Sequence, residues 1–381
     1  MRQRSIPCVF MRGGTSKALM FHERDLPAER DEWAPLFVAA LGSPDLYGRQ
    51  LNGMGGGVSS LSKVCVLATS ARSDADVDYT FAQVMIKEAR VDYRSNCGNM
   101  SSAVGPFAVD EGLVAAHGDV ATVRVFNTNT NKIIHSTFAV EDGAARYDGD
   151  LDIPGVSGTG SPIRLDFMAP GGATTGELLP SGHVSEYLDV PGLGAVEVSL
   201  VDAANAAVFV RANDVGLSGT ELPDELDART DVLALLEAIR RSASVRMGIA
   251  PDVDSAAAIT SVPFVCVVSP RATSSSVSGE VIDANEVDLV ARVISNGQPH
   301  RALPLTISLC SAVAARVSGS VVAQVLSSSS GAGTLRLGMP SGVLNVDADV
   351  THENGEWIAR AGTFYRTARR LFDGRVWVPG T

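Results

Sequence analysis

Short strand-like runs dominate the chain. Strands are predicted over 6–11, 18–21, 64–68, 78–86, 88–93, 120–127 and 133–140, bounded by glycine, proline, asparagine and aspartate. The later runs are short and alternate apolar with polar residues, which is the signature of antiparallel sheet. A helix is predicted over 31–41, where Trp33, Leu36, Phe37 and Ala40 share one side, and an apolar helix over 103–109. The second half repeats this order. Strands are expected over 195–201, 206–210, 264–268, 334–337, 343–350, 357–361, 364–368 and 375–378. Helices are expected over 231–242, capped by Thr230, over 284–294, with Asp288 and Arg292 at i,i+4, and over 309–317. The run 327–330 reads as a polar surface loop, and 170–176 as a connector. The fold class is therefore α+β, with a first domain over 1–183 and a second over 184–364. The strand segment 365–381 is a candidate to return to the first.

Composition narrows the function. The 381 residues suffice for two domains, and 45% hydrophobic content gives each a core. A net charge of −12 argues against nucleic acid or an anionic membrane face as partner, but leaves room for a locally positive pocket. The five cysteines, at 8, 65, 97, 266 and 310, contain no CxxC pair and no metal spacing. Their odd number fits a reducing compartment. Residues 1–20 lack a basic-then-apolar leader, and no run approaches the roughly 20 apolar residues of a membrane span. The expected location is the cytoplasm.

The chemistry concentrates around Asn96-Cys97-Gly98-Asn99-Met100-Ser101-Ser102, between a strand and an apolar helix. The first N–H groups of a helix have no partner within it, and its dipole favours an anion there. The same field favours thiolate at Cys97. A buried packing thiol is the plainer alternative. Upstream, Arg12-Gly13-Gly14-Thr15-Ser16-Lys17 is either a simple hairpin turn or a carboxylate site made of hydroxyls and two cations; it lacks the phosphate-loop spacing. The glycine cluster 53–57 is either a flexible linker or backbone approaching a ligand, and it runs into Ser62-Lys63 at the mouth of an apolar strand. Lysine is rarely buried without a partner, and burial would lower its pKa and make it a usable base. A snorkelling strand-end lysine is the alternative.

These motifs, with Phe126-Asn127-Thr128-Asn129-Thr130, Val245-Arg246-Met247-Gly248, Gln298-Pro299-His300 and Pro340-Ser341-Gly342, resemble the 2-methylaconitate cis–trans isomerase family over nearly the whole chain. The resemblance implies a diaminopimelate epimerase-like fold: two similar domains, each an antiparallel sheet around a central helix, with the site between them. It implies a cofactor-free isomerase of unsaturated di- and tricarboxylates, with Lys63 and Cys97 at the family's acid–base positions. Reading the epimerases' second catalytic cysteine onto this chain gives Leu305, while Cys310 falls inside the helix as a core thiol, so Lys63 must supply the missing base. Thr15, Ser16, Asn99, Met100 and Ser101 are expected to bind one carboxylate, and Thr306, Ser308 and Ser341 another. Arg301 and His300 are equally read as a solvated and a structural residue. No metal or cofactor is called for. The expected partner is a small polycarboxylate, and a homodimer is left open. Tautomerisation of a 4-oxalomesaconate-type acid and allylic isomerisation of an aconitate or methylitaconate use the same residues. An inactive carboxylate-binding protein is the third reading, disfavoured by the presence of both Lys63 and Cys97.

Overall fold

A computed structural model describes residues 3–93, 96–326 and 333–379; the loop expected over 327–330 lies outside them. The chain divides into two compact units, 1–168 with 365–381, and 169–364. The break falls before residue 183 because Asp202 gathers the following segment. Its carboxylate accepts the Thr174 and Thr175 backbone N–H groups at 2.7 and 2.6 Å and the Thr175 hydroxyl at 2.9 Å.

The main elements of the first unit are β1 (Gln3–Gly13), β2 (Ser16–His22), α1 (Trp33–Leu41), β3 (Lys63–Thr69), β4 (Val77–Val84), β5 (Val91–Asp92), α2 (Gly98–Asp110), β6 (Val120–Asn127), β7 (Lys132–Glu141) and β8 (Ile163–Met168). The C-terminal strand, Ala368–Pro379, lies antiparallel to β1 along its whole length. The sheet then runs β1, β2, β3, β4, β6, β7, β8. Pairs β2–β3 and β4–β6 are parallel and the others antiparallel.

The second unit has β9 (Glu186–Val190), β10 (Gly194–Ala203), β11 (Asn205–Arg211), α3 (Thr230–Arg246), β12 (Phe264–Pro270), β13 (Leu289–Ser295), α4 (Leu305–Arg316), β14 (Leu335–Met339), β15 (Gly342–Glu353) and β16 (Glu356–Arg366), whose last two residues count with the first unit. Its strands follow one another in the order β9 to β16, with β11–β12 and β13–β14 parallel. The two units therefore share one sequence of pairings, mostly antiparallel with two parallel steps.

Each sheet encloses one helix and carries another outside. Every residue of α2 from Met100 to Val109 is buried, and every residue of α4 from Ile307 to Ala315. A helix apolar or small on all sides belongs in a core. Gly105 lets α2 approach β7: a Cβ there would stand 2.5 Å from the Ser136 hydroxyl and 2.7 Å from the Phe138 ring. On the opposite face of the first sheet, α1 packs Trp33, Leu36 and Phe37 against Leu19, Phe21, Val64 and Val66. In the second unit α3 packs Leu236 and Ile239 against Val208 and Val265.

Three expectations change. The segment expected as a helix over 284–294 contains strand β13. All seven β13 residues are buried, so no alternation was there to read, and the run is rich in β-branched residues that suit a sheet paired on both sides. Thr230 does not cap α3: the N-cap position is Arg229, which pairs with Asp231 at 3.1 Å. The strand expected over 88–93 is confined to Val91–Asp92.

The second parallel step of each unit, β4–β6 and β13–β14, is clipped in the same way. In the first unit Arg124 donates its backbone N–H to Asp76 at 2.7 Å and its guanidinium at 2.7 Å, and reaches the Ser73 carbonyl at 3.0 Å. In the second, Arg336 does the same to Asp288, at 2.8 and 2.8 Å, and to the Asn285 carbonyl at 2.7 Å. The bonds to Arg124 hold the Asp76 carboxyl below its usual pKa. Burial raises that of Asp288, but the Arg336 bonds outweigh it and the net direction is down. A depressed folded-state pKa gives stability that is present above the unfolded value and lost as pH falls through the folded one. Replacing Asp288 by Ala should cost about 1–3 kcal/mol, read as a lowered denaturation midpoint. The gap to the parent should shrink in acid.

Candidate active site

Alternation along three strands sets the inner face of the first sheet. Leu19, Phe21, Val64, Val66, Ala82 and Val84 point out to α1, so Ser16 and Ala18 on β2, Lys63 and Cys65 on β3, and Tyr79, Phe81 and Gln83 on β4 point inward. Lys63 is 8% exposed. Its Nζ donates to Gln83 Oε1 at 2.6 Å and sits 5.0 Å from the centre of the Phe81 ring. Cys65 lies two residues along the same face, with its thiol 3.8 Å from the Tyr79 hydroxyl. Burial pushes the Cys65 thiol up strongly, and the charges of both Cys97 and Lys63 act on it. Lys63 and Cys97 thus both act electrostatically on Cys65, within the first unit.

Cys97 is the N-cap of α2, with extended backbone (φ −112°, ψ 98°). The helix starts at Gly98, earlier than the expected 103. Its first internal bond runs from Ser101 N to Cys97 O at 2.9 Å. The N–H groups of Gly98, Asn99 and Met100 precede that bond and have no acceptor within the helix. Met100 is fully buried. The hydroxyls nearby are already engaged. Ser101 Oγ donates to Cys97 O and Asn96 Oδ1 at 3.1 and 3.3 Å, and Ser102 Oγ to Asn99 O at 2.6 Å. Asn99 spans the β1–β2 turn, giving Nδ2 to Thr15 Oγ1 at 3.0 Å while Oδ1 accepts from Arg366 Nε at 3.2 Å. Thr15 is exposed and Ser16 buried.

The two cations of that turn do not form a carboxylate clamp. One Arg12 nitrogen bonds the Gly14 and Thr367 carbonyls and the Thr367 hydroxyl, each at 3.0 Å, and Lys17 lies 5.7 Å from the Phe10 ring centre. The cation at the α2 end is Arg366 instead. Burial pushes its pKa down to about 10. A buried guanidinium and a helix N-terminus together make positive potential.

Sequence reasoning noted the 126–130 motif and the glycine cluster but gave the residues that hold this arrangement no role in it. Asn127 is fully buried; its Oδ1 accepts from Asn129 N, Thr130 N and Thr130 Oγ1 at 3.1, 2.9 and 2.9 Å, and its Nδ2 donates to Asn96 Oδ1 at 3.0 Å. Asn129 bonds both backbone groups of Phe81 and the Tyr93 carbonyl. The Asn-Thr-Asn-Thr motif is a bracket for the chain entering Cys97. The glycine cluster folds around Gln50, which is 1% exposed: Gly57 N donates to Gln50 Oε1 at 3.0 Å, and a Cβ at Gly55 would strike the Gln50 amide. Two repeated asparagines and a glutamine beside glycines were the available signals.

In the second unit, Thr306 is exposed in the first turn of α4. Ser308 is buried and gives both its N–H and hydroxyl to Pro304 O, at 2.9 and 3.2 Å. The Ser341 hydroxyl is buried and has no hydrogen-bond partner among the described residues. Arg301 is an exposed partner of Asp224 at 2.9 Å, and His300 bonds Ser295 at 2.7 Å. Cys310 is buried inside α4 with its thiol pushed up by burial.

Cys97 is the one cysteine that is not buried. Burial raises the pKa of Cys8 and pushes that of Cys266 up to about 12. A thiol reagent at neutral pH should therefore label Cys97 in the folded protein and the other four only after unfolding, as read by peptide mass mapping.

The chain matches the PrpF protein family over residues 3–379. It is 40% identical to 3-methylitaconate isomerase of Eubacterium barkeri, over 99% of this chain and 98% of that one. It is 36% identical to 2-methyl-aconitate isomerase of Shewanella oneidensis, with 99% and 98% covered, and 38% identical to 4-oxalomesaconate tautomerase of Pseudomonas putida, with 99% and 97% covered. The crystal structure of a methylitaconate-delta-isomerase superposes with a TM-score of 0.92 at 40% identity, covering 100% of this chain and 98% of that one. A hydroxyproline epimerase from Agrobacterium vitis, 12% identical with a TM-score of 0.50, covers 98% and 93% and shares the fold. With its strand order, its two enclosed helices and its whole length aligned, this chain belongs to the PrpF family and has the epimerase-like fold.

Proposed function

We propose that the protein is an isomerase of unsaturated di- or tricarboxylates, in which Lys63 and Cys97 carry the proton transfers. The observation that carries this reading is a buried amine and a half-buried thiol in one unit, the amine held by Gln83 and the thiol at the N-terminus of a buried helix. The relatives' names supply the substrate class: they are isomerases of 3-methylitaconate and 2-methyl-aconitate and a tautomerase of 4-oxalomesaconate, all small unsaturated acids.

In this reading Lys63 removes a proton α or γ to a carboxylate. The electron pair enters the allyl system as a dienolate, and the unpaired N–H groups of Gly98, Asn99 and Met100 stabilise its oxygens. The proton then returns to a different carbon, or to the same one after bond rotation. One group can serve both steps. Cys97 acts as a second acid–base group or donates to the enolate. Thr15, Ser16, Asn99, Met100 and Ser101 shape the carboxylate site around α2, mainly through backbone N–H. Thr306, Ser308 and Ser341 are assigned to another carboxylate; the unpartnered Ser341 hydroxyl favours that role most.

The test uses solvent deuterium exchange with a panel of methylaconitate, methylitaconate, aconitate and 4-oxalomesaconate acids. Lys63→Ala should lower both exchange and turnover by about 10²–10⁴-fold; retained exchange with retained turnover removes Lys63 as the shuttle. Cys97→Ser keeps measurable turnover if the thiol only donates a hydrogen bond, and falls to the Lys63→Ala level if it transfers protons.

A further inference from the structure

We propose that Gln83 is a positioning residue for the Lys63 amine, presenting it a neutral acceptor locked in place by the backbone. The inference rests on the reading of Lys63 as proton shuttle. Gln83 Nε2 donates to the Ser62 and Ser59 carbonyls at 2.9 and 3.1 Å. Two carbonyls on that side fix which end of the amide is nitrogen, so the oxygen must face Lys63 Nζ, 2.6 Å away. The support continues behind it. Ser62 Oγ donates to Val84 O at 3.0 Å and accepts from Gln50 Nε2 at 2.8 Å, and Gln50 organises the glycine cluster. A chain of hydrogen bonds, Gln50–Ser62–Gln83–Lys63, thus ends on the amine.

A neutral acceptor has a chemical consequence. A carboxylate at this distance would hold the ammonium in its charged form and oppose its use as a base. An amide oxygen gives direction without that charge. The second unit supplies an internal control. Ala207 pairs with Phe264 there as Ala18 pairs with Lys63. Ser295 follows the clip aspartate Asp288 at the spacing by which Gln83 follows Asp76. Where phenylalanine replaces the lysine, serine replaces the glutamine, and that serine bonds His300 instead. The amide acceptor occurs where there is an amine to hold.

The titratable groups on the elements around Lys63 are Cys65 on its own strand, Tyr79 on β4, Asp92 on β5 in register with Gln83, and Cys97 at the start of α2. None of them is changed by the test. The variants are Gln83→Glu, which adds charge, and Gln83→Met, which keeps the length and removes the acceptor. Two readouts are taken on each folded variant: the pH profile of kcat, and trace acetylation of Lys63 against pH by mass spectrometry. The chain has only Lys17, Lys87 and Lys132 as further lysines, and these serve as references.

Gln83→Glu should move both the acetylation midpoint of Lys63 and the rising limb of kcat to higher pH by about one unit or more, lowering kcat at pH 7 about tenfold. Gln83→Met should lower kcat with little change in KM and no upward movement of the limb. If the acetylation midpoint moves and the kcat limb stays, the tether is supported and the assignment of Lys63 as shuttle falls. If neither moves, or if Gln83→Met retains full kcat, the positioning role of Gln83 is overturned.

Discussion

A helix buried on every side has an end that cannot be left to water, and the chemistry of this protein follows from that. Enclosing α2 in a sheet hides Met100 to Val109 and brings its N-terminus to the inner face of the strands. The first-turn N–H groups must then find acceptors supplied from outside the helix. Neighbouring side chains use up the hydroxyls of Ser101 and Ser102 but leave those N–H groups, and Arg366 adds charge beside them. A negatively charged ligand answers an electrostatic demand the fold creates. The close packing that produces the demand depends on small residues, most clearly Gly105 against Ser136.

The two units share a scaffold but not the reactive groups. Both have the same pairing order, an enclosed helix and an aspartate–arginine clip. Phe264 stands where the first unit has Lys63, and Pro304 caps α4 where Cys97 caps α2. A racemase that works from two sides needs an acid–base group on each. The two residues proposed for that role, Lys63 and Cys97, both belong to the first unit, an arrangement that would suit moving a proton along one face of a planar allyl system rather than across a tetrahedral carbon.

Much of this was legible from residue pattern. The Cys97 turn, the strand bearing Lys63 and the repetition of the halves follow from periodicity and turn chemistry, and the family motifs lie along the chain in order. What escaped has a common cause. Strand β13 is buried on both faces, Arg292 and Ser295 included, so its residues do not alternate apolar with polar and carry no period of two to separate strand from helix. Gln50, Gln83, Asn127 and Arg366 are polar residues whose meaning lies in partners far along the chain: Gln83 touches Lys63, and Arg366 touches Asn99. No local rule reads such pairs. The glycine cluster was seen, but its reason, a buried amide at its centre, was not.

The pairing of Gln3–Gly13 with Ala368–Pro379 makes one part of the chain wait for another. Gln3–Gly13 cannot gain this neighbour until Ala368–Pro379 has been made, so that edge of the first sheet stays open while the whole second unit is synthesised. The second unit, though encoded later, is contiguous over 169–364 and has all its own strands before then. The strands of the second unit are therefore all available before the first unit has its full set, although the first unit begins earlier in the chain.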